Sequence, residues 1–359
     1  MFQLDINNAF LHGDLDEEVY MKLPPGLSAG SVASYGQYSN FICHIQKSFY
    51  GLRQASRHWY AKLSHALCSR GYFHYLNDYS LFIRRSGGSI VLLVVYVDDI
   101  ILTSDDLEEI SALKLFLDNQ FKIKDLGVLN SFLDIDVAYL PSGLLLHQSK
   151  FIRDLLHENN CELLSHVTCP LDLNSKLKVA MGDPLPSPDT YRSLVGKLNF
   201  LTHTRKAAMH LLRYLKGTSD VRMFYGNSPS LSLSAFCDSD CDACPDTRRS
   251  ATEFCILLGI HISWKAKKQP VVSLSSAEAK YRAISKVVAE LTWVVQILSD
   301  FDVDVSSVVL VFCDNQAAIH IAKNLIFHER TKHIELDCHF VRNKLSNGLI
   351  SLNHVPTTS

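Results

Sequence analysis

At 359 residues, with 47% apolar and 20% charged residues, the chain is ordinary for a globular protein and holds about two domains of ~150 residues each. Its longest apolar run, Ile90–Tyr96, falls far short of the ~20 residues a membrane span needs, and a net charge of −2 gives no bulk basic field. Met1-Phe2-Gln3-Leu4-Asp5 carries no basic, apolar leader, so a secreted or membrane protein is not expected. The expected location is intracellular, cytoplasm or nucleus, with the ten cysteines as thiols.

Taken in chain order, Asp5 closes a short β run, and the segment from Val19 to Asn77 contains no Asp or Glu while carrying Lys22, Lys47, Arg53, Arg57, Lys62 and Arg70. That stretch is either a phosphate-tracking surface or a solvated basic face. Trp59 to Leu67 has helical spacing. Ile90–Tyr96 and Ile100–Thr103 are β-branched runs around Val97-Asp98-Asp99, which predicts a hairpin. Leu107 to Phe121 reads as a helix capped by Asp105 or Asp106. Gly182–Pro188 is the linker candidate, and Tyr191 to Tyr214 reads as helical. Beyond Leu231 the pattern restarts. Strands end at Asp238 and run over Thr252–Leu258 and Ile262–Trp264; a helix spans Ala277–Leu298, and a strand over Val308–Phe312 precedes Asp314.

Acids at the ends of elements are the chemistry-bearing pattern. Asp98 and Asp99 at the tip of an apolar hairpin are costly to desolvate unless water or cations compensate them, although an isolated pair there is more often an ordinary turn. Asp238, Glu278 and Asp314 stand at the ends or starts of three other elements, with Glu335 or Asp337 in a C-terminal helix as a fourth acid. Converging carboxylates build two-metal phosphodiester sites, yet Glu278 also suits a helix N-terminus and Asp314 an N-cap. Cys241-x-x-Cys244 has zinc-ligand spacing, but Cys237 and Cys255 fall in predicted strands, and zinc is not expected.

Local sequences around these acids resemble the Pol polyprotein of copia-type LTR retrotransposons. In the first half the carriers are Gln3-Leu4-Asp5-Ile6-Asn7-Asn8-Ala9-Phe10, Tyr50-Gly51-Leu52-Arg53-Gln54-Ala55, Tyr96-Val97-Asp98-Asp99, and Leu126-Gly127 followed by Phe132–Val137. In the second half they are Cys237-Asp238-Ser239-Asp240, Ser275-Ser276-Ala277-Glu278-Ala279, Cys313-Asp314-Asn315-Gln316 and Arg330-Thr331-Lys332-His333-Ile334-Glu335. The resemblance implies a reverse-transcriptase palm (an antiparallel sheet with helices) over residues 1–160, a connecting, thumb-like remnant over 161–228 and a ribonuclease H-like α/β domain over 229–359. It further implies an RNA-directed DNA polymerase with RNA–DNA hybrid ribonuclease H, using Mg²⁺ or Mn²⁺, with RNA template, DNA primer, RNA–DNA hybrid and dNTPs as partners. By similarity Asp5 and Asp98 bind the metals with Asp99 in support, and Phe10 excludes a ribose 2′-OH. Gln54 contacts template or nucleotide, and Arg53 and Arg57 contact phosphates. Asp238, Glu278 and Asp314 bind metal in the nuclease, Glu335 is preferred to Asp337 as the fourth acid, and His333 assists proton transfer or product release.

The chain also departs from that family. It starts at the first palm motif, without the fingers region, and the text around Arg205 and Lys206 reads as an internal deletion. Ser56, Asp134, Cys241 and Glu253 replace the residues usual there, and Asp134 is unfavourable inside a strand. The expectation is impaired DNA synthesis with the nuclease retained; the alternative is a non-catalytic remnant that at most binds nucleic acid.

Overall fold

The computed structural model describes residues 1–23, 42–170, 188–198, 205–227, 231–303, 305, 307–324 and 334–356. They fall into two compact units, Met1–Asn130 and Ser131–Ser359.

The first unit contains β1 (Phe2–Ile6), β2 (Asp14–Lys22), β3 (Ile42–Lys47), α1 (Ala55–Ser69), β4 (Phe73–Tyr75), β5 (Asp78–Ser86), β6 (Ser89–Tyr96), β7 (Asp99–Ser104), α2 (Leu107–Phe121) and β8 (Ile123–Val128). Six of the strands form one antiparallel sheet in the order β4-β5-β6-β7-β1-β8, while β2 and β3 pair separately. Alternation puts Leu4 and Ile6, Val91, Leu93 and Val95, and Ile100 and Leu102 on one buried face. Two helical stripes close over it: Trp59, Leu63 and Leu67 from α1, and Ile110, Leu113, Leu117 and Phe121 from α2. Asp106 caps α2 by accepting from the Glu109 N–H at 2.9 Å, and Lys122 ends it in the left-handed region.

The second unit opens with β9 (Ser131–Phe132), β10 (Ile135–Leu140), β11 (Gly143–His147), α3 (Ser149–Glu158), α4 (Pro188–Lys197), α5 (Arg205–Gly217) and β12 (Met223–Gly226). β11 pairs with β12, a strand beyond α5, and this ties residues 131–147 to the second unit. The compact units therefore meet at Asn130/Ser131, earlier than the boundary near 160 read from the sequence. Asp134 is not inside a strand. Leu133 (φ 48°) and Asp134 (φ 62°) form the two-residue turn joining β9 to β10, a conformation aspartate tolerates well. Helices α3, α4 and α5 share a small core that includes Leu155, Leu156, Leu194, Leu198, Leu211 and Leu212. Arg205 and Lys206 stand together in the first turn of α5, and the linker candidate up to Ser187 lies outside the described residues.

The remainder comprises β13 (Leu233–Asp240), β14 (Ala251–Leu258), β15 (Ile260–Lys268), α6 (Ser276–Asp300), β16 (Val309–Cys313), α7 (Gln316–Lys323), α8 (Glu335–Ser346) and β17 (Ile350–His354). The sheet order is β15-β14-β13-β16-β17, antiparallel from β15 to β13 and parallel from β13 to β17. Ile284, Val287, Val288 and Leu291 of α6 are buried in one core with Ala235, Ile256 and Val311 of the sheet. Among the described residues no helix is long and apolar enough to cross a membrane.

Candidate functional site

In the first unit the pairing register decides which acids meet. Asp5 of β1 stands directly opposite Asp99 of β7, with Leu4 opposite Ile100 on the core side of the pleat. Two carboxylates in facing positions of an antiparallel pair repel, and such an arrangement lowers stability. Asp98 adds a third at the two-residue turn, where Val97 takes a left-handed φ of 59°. Burial raises the Asp99 carboxyl above its ordinary value; the Gln3 amide, donating to it at 3.4 Å, works against this, and the charges of Asp98 and Asp5 add to it. Asp99→Asn is accordingly expected to raise the stability of this unit by ~0.5–1 kcal/mol, read as a higher melting temperature.

The turn is held from two sides. The Ile6 N–H donates to the Asp98 carbonyl at 2.9 Å, and the indole N–H of Trp59 donates to the Val97 carbonyl at 2.6 Å. Trp59 is buried on α1 and meets Phe121 edge-on, with ring centroids 5.1 Å apart. This positioning residue is absent from the sequence-based set; its signal is the lone tryptophan in an otherwise ordinary helical stripe.

Phe10 follows β1 in a short 3₁₀ turn, half-buried, and its ring lies 4.6 Å from that of Tyr50. Burial raises the Tyr50 phenol, and the charges of Asp98 and then Asp5 push the same way, so this ring stands beside the carboxylates. Of the basic stretch, Lys62 and Lys47 pair with Asp14 at 2.6 and 3.4 Å, and Arg70 pairs with Glu109 at 3.1 Å. Arg53 and Arg57 are exposed at the start of α1, whereas the Gln54 amide donates to Glu17.

In the second unit, β13 and β16 are parallel neighbours with Cys237 opposite Cys313, so Asp238 and Asp314 are the next residues along the two strands. The group between them is Lys280 of α6. Its ammonium donates to both Asp314 carboxylate oxygens, at 2.7 and 2.8 Å, and to Asp238. Burial pulls the Lys280 pKa down, but its bonds to Asp238 and Asp314 outweigh that, and the net shift is upward. Glu278 does not join this group. It is buried, accepts from the Leu274 N–H at 2.9 Å and pairs with Arg282 at 2.8 Å, while its own N–H is capped by Ser275. Two positions apart on a helix means ~200° of rotation, so 278 and 280 cannot face one target.

Glu253 lies opposite Asp238 across β13–β14, and its carboxyl is raised by burial and then by the charges of Asp238 and Asp240. Glu335 is exposed in the first turn of α8; Asp337 accepts from the Ser285 hydroxyl at 2.7 Å. The N-cap of α7 is Asn315, not Asp314. His333 lies outside the described residues. Cys237 and Cys255 are in β13 and β14, and the Lys268 ammonium donates to the Cys244 sulfur at 3.0 Å. Among the described residues no three His, Cys, Asp or Glu side chains are drawn together as a metal cage.

Residues 1–172 match the family model described as reverse transcriptase (RNA-dependent DNA polymerase). Over 99% of its length the chain is 36% identical to the retrovirus-related Pol polyprotein from transposon RE2 of Arabidopsis thaliana, covering 26% of that protein. It is 31% identical to the one from transposon TNT 1-94 of Nicotiana tabacum, over 99% of this chain and 29% of that protein. The chain thus spans about a quarter of the length of these curated relatives. The foamy viral protease-reverse transcriptase in complex with RNA/DNA hybrid is similar at a TM-score of 0.41 and 11% identity, covering 99% of this chain and 44% of that one. With residues 1–172 matching the reverse transcriptase model and these Pol polyproteins aligning along nearly the whole of this chain, the chain belongs to the copia-type retrotransposon Pol polyproteins.

Proposed function

We propose that the chain copies an RNA template into DNA at the Asp5–Asp98–Asp99 end of the first sheet, by two-metal phosphoryl transfer from dNTPs to a DNA primer. The observation that carries this reading is the facing of Asp5 and Asp99, with Asp98 on a doubly clamped turn beside them. Opposed like charges at a cost in stability are typical of a site kept for chemistry. The donor set is all oxygen, which suits Mg²⁺ or Mn²⁺; Mg²⁺ usually takes one or two carboxylates and leaves the rest of its shell to water and substrate phosphates. Asp5 and Asp98 would hold such ions, and Asp99 would set their negative field. When bound, the ions supply charge neutralisation and activation of the primer 3′-hydroxyl. Phe10, steadied by Tyr50, would close the space for a ribose 2′-OH, and the exposed guanidinium groups of Arg53 and Arg57 would contact backbone phosphates.

Activity is thereby assigned to the palm, the reverse of the weighting read from the sequence, because Lys280 occupies the acid pair of the nuclease half. The test is extension of a DNA primer on an RNA template by the purified chain with Mg²⁺ or Mn²⁺. Asp98→Asn is expected to reduce incorporation by ~10²–10³-fold at unchanged melting temperature. Phe10→Ala is expected to relax discrimination against ribonucleotides by roughly 10-fold or more. Incorporation by Asp98→Asn equal to that of the parent chain overturns the assignment.

A further inference from the structure

We propose that the acid pair of the second unit is filled by the chain's own cation: Lys280 takes the place of a divalent ion between Asp238 and Asp314, leaving this ribonuclease H-like half unable to cut. The inference rests on reading the second unit as ribonuclease H-like. Three observations carry it. The Lys280 side chain is only 12% exposed, and its ammonium bonds to Asp238 and to both oxygens of Asp314. An ammonium has three donors and no acceptor, and these contacts occupy it fully. Being tethered to α6, it is present at a high effective concentration, and a soluble ion must displace it to reach the carboxylates.

Second, no carboxylate from α6 accompanies the pair. Glu278, the acid that the sequence offers, is engaged by Arg282 and the Leu274 N–H on another face of the helix. Third, residue 280 stands where a third carboxylate would have to come from, since it already touches both aspartates. Glu253, facing Asp238 across the strand pair, adds a further acid next to the site. An ion approaching the parent chain meets a fixed positive charge; in Lys280→Glu it meets three or four acids.

The experiment uses the full chain as the parent form, Asp238→Asn, Lys280→Gln, Lys280→Glu, and Lys280→Glu with Asp238→Asn. Free Mn²⁺ is followed by electron paramagnetic resonance, RNA-strand cleavage by gel, and hybrid binding by fluorescence anisotropy. Mn²⁺ stoichiometry of the parent chain is expected to be unchanged by Asp238→Asn, because no ion depends on that carboxylate. Lys280→Glu gains a Mn²⁺ site and raises hybrid cleavage by ~100-fold, and adding Asp238→Asn removes both gains. Lys280→Gln lacks the third carboxylate and falls short of Lys280→Glu in cleavage.

Loss of a Mn²⁺ site or of hybrid cleavage when Asp238→Asn is made in the parent chain overturns the proposal. So does a folded Lys280→Glu chain that gains no Mn²⁺. Should Lys280→Glu melt early, the parent and Asp238→Asn comparison decides alone. Failure of the parent chain to bind a hybrid at all counts against the ribonuclease H-like reading, whereas the Mn²⁺ stoichiometries report on Lys280 independently of it.

Discussion

Truncating Trp59 to alanine is expected to destabilise the first unit by about 3–5 kcal/mol, the range for removing a large aromatic from a packed core. Trp59 is 2% exposed and sits in one cluster with Leu63, Leu67 and Phe121. Truncation also frees the Val97 carbonyl, whose partner is the indole N–H at 2.6 Å. Trp59→Phe separates the two effects. It keeps most of the apolar volume and loses the hydrogen bond, for about 1 kcal/mol, since Val97 is partly exposed and water can replace the donor. The turn carrying Asp98 then keeps its strand pairing and the Ile6 bond but loses its tie to α1, so incorporation is expected to fall further in Trp59→Phe than its small stability loss accounts for. Urea denaturation followed by circular dichroism checks the first number; a loss below about 1 kcal/mol in Trp59→Ala contradicts it.

Glu109 is the centre of the second large effect. From α2 its carboxylate accepts from Arg70 at 3.1 Å and from the Tyr72 hydroxyl at 2.9 Å, and pairs with Arg84. The Glu109 side chain is 14% exposed and the two arginines about a quarter, so solvent screens the group only in part. Glu109→Ala leaves two guanidinium groups and a buried phenol without their anion. The expected cost is about 2–4 kcal/mol, somewhat less than for a wholly buried pair.

The pH dependence follows in sign. Burial raises the Glu109 carboxyl, but hydrogen bonds from Arg84 and Tyr72 and the charges of both arginines outweigh it, and the folded-state pKa lies below the ordinary glutamate value. A depressed carboxyl contributes its full stability above the unfolded pKa of about 4.3 and loses it as pH falls through the folded value. Melting temperature should therefore drop below about pH 4 in the parent chain, with Glu109→Gln flattening that limb. Parallel acid limbs in the two proteins would exclude this carboxylate as the cause.

Local pattern carried several elements almost to the residue. The helix expected over Leu107–Phe121 matches α2, with Asp106 as its cap, because periodicity and a capping side chain are both short-range. Ile90–Tyr96 and Ile100–Thr103 became β6 and β7 around a two-residue turn. The Ala277–Leu298 helix gained only its ends in α6. Strands β9 to β12 were less legible: β12 is four residues long, and what fixes it is its pairing with β11. Asp134 looked wrong for a strand because its φ of 62° cannot be read from its neighbours' hydrophobicity.

Glu278 and Lys280 show the same division within one helix. Ser275-x-x-Glu278 is a capping-box pattern, and the buried Ile284, Val287 and Leu291 project back by helical steps to position 280. Both signals are present in the sequence; the motif resemblance points to Glu278, whereas helical phase turns Lys280 to the two aspartates.

The amino-acid sequence by itself determined the Asp98-Asp99 hairpin and the helices α1, α2 and α6, since these depend on spacings of two to four residues, while the family followed from the resemblance of its motifs. Only the tertiary structure decided that Asp5 opposes Asp99, that Trp59 clamps the turn, and that Lys280 rather than Glu278 meets Asp238 and Asp314. Register between distant strands and the face a helix turns to its sheet are set by core packing, where a shift of one or two positions exchanges one side chain for another of opposite charge.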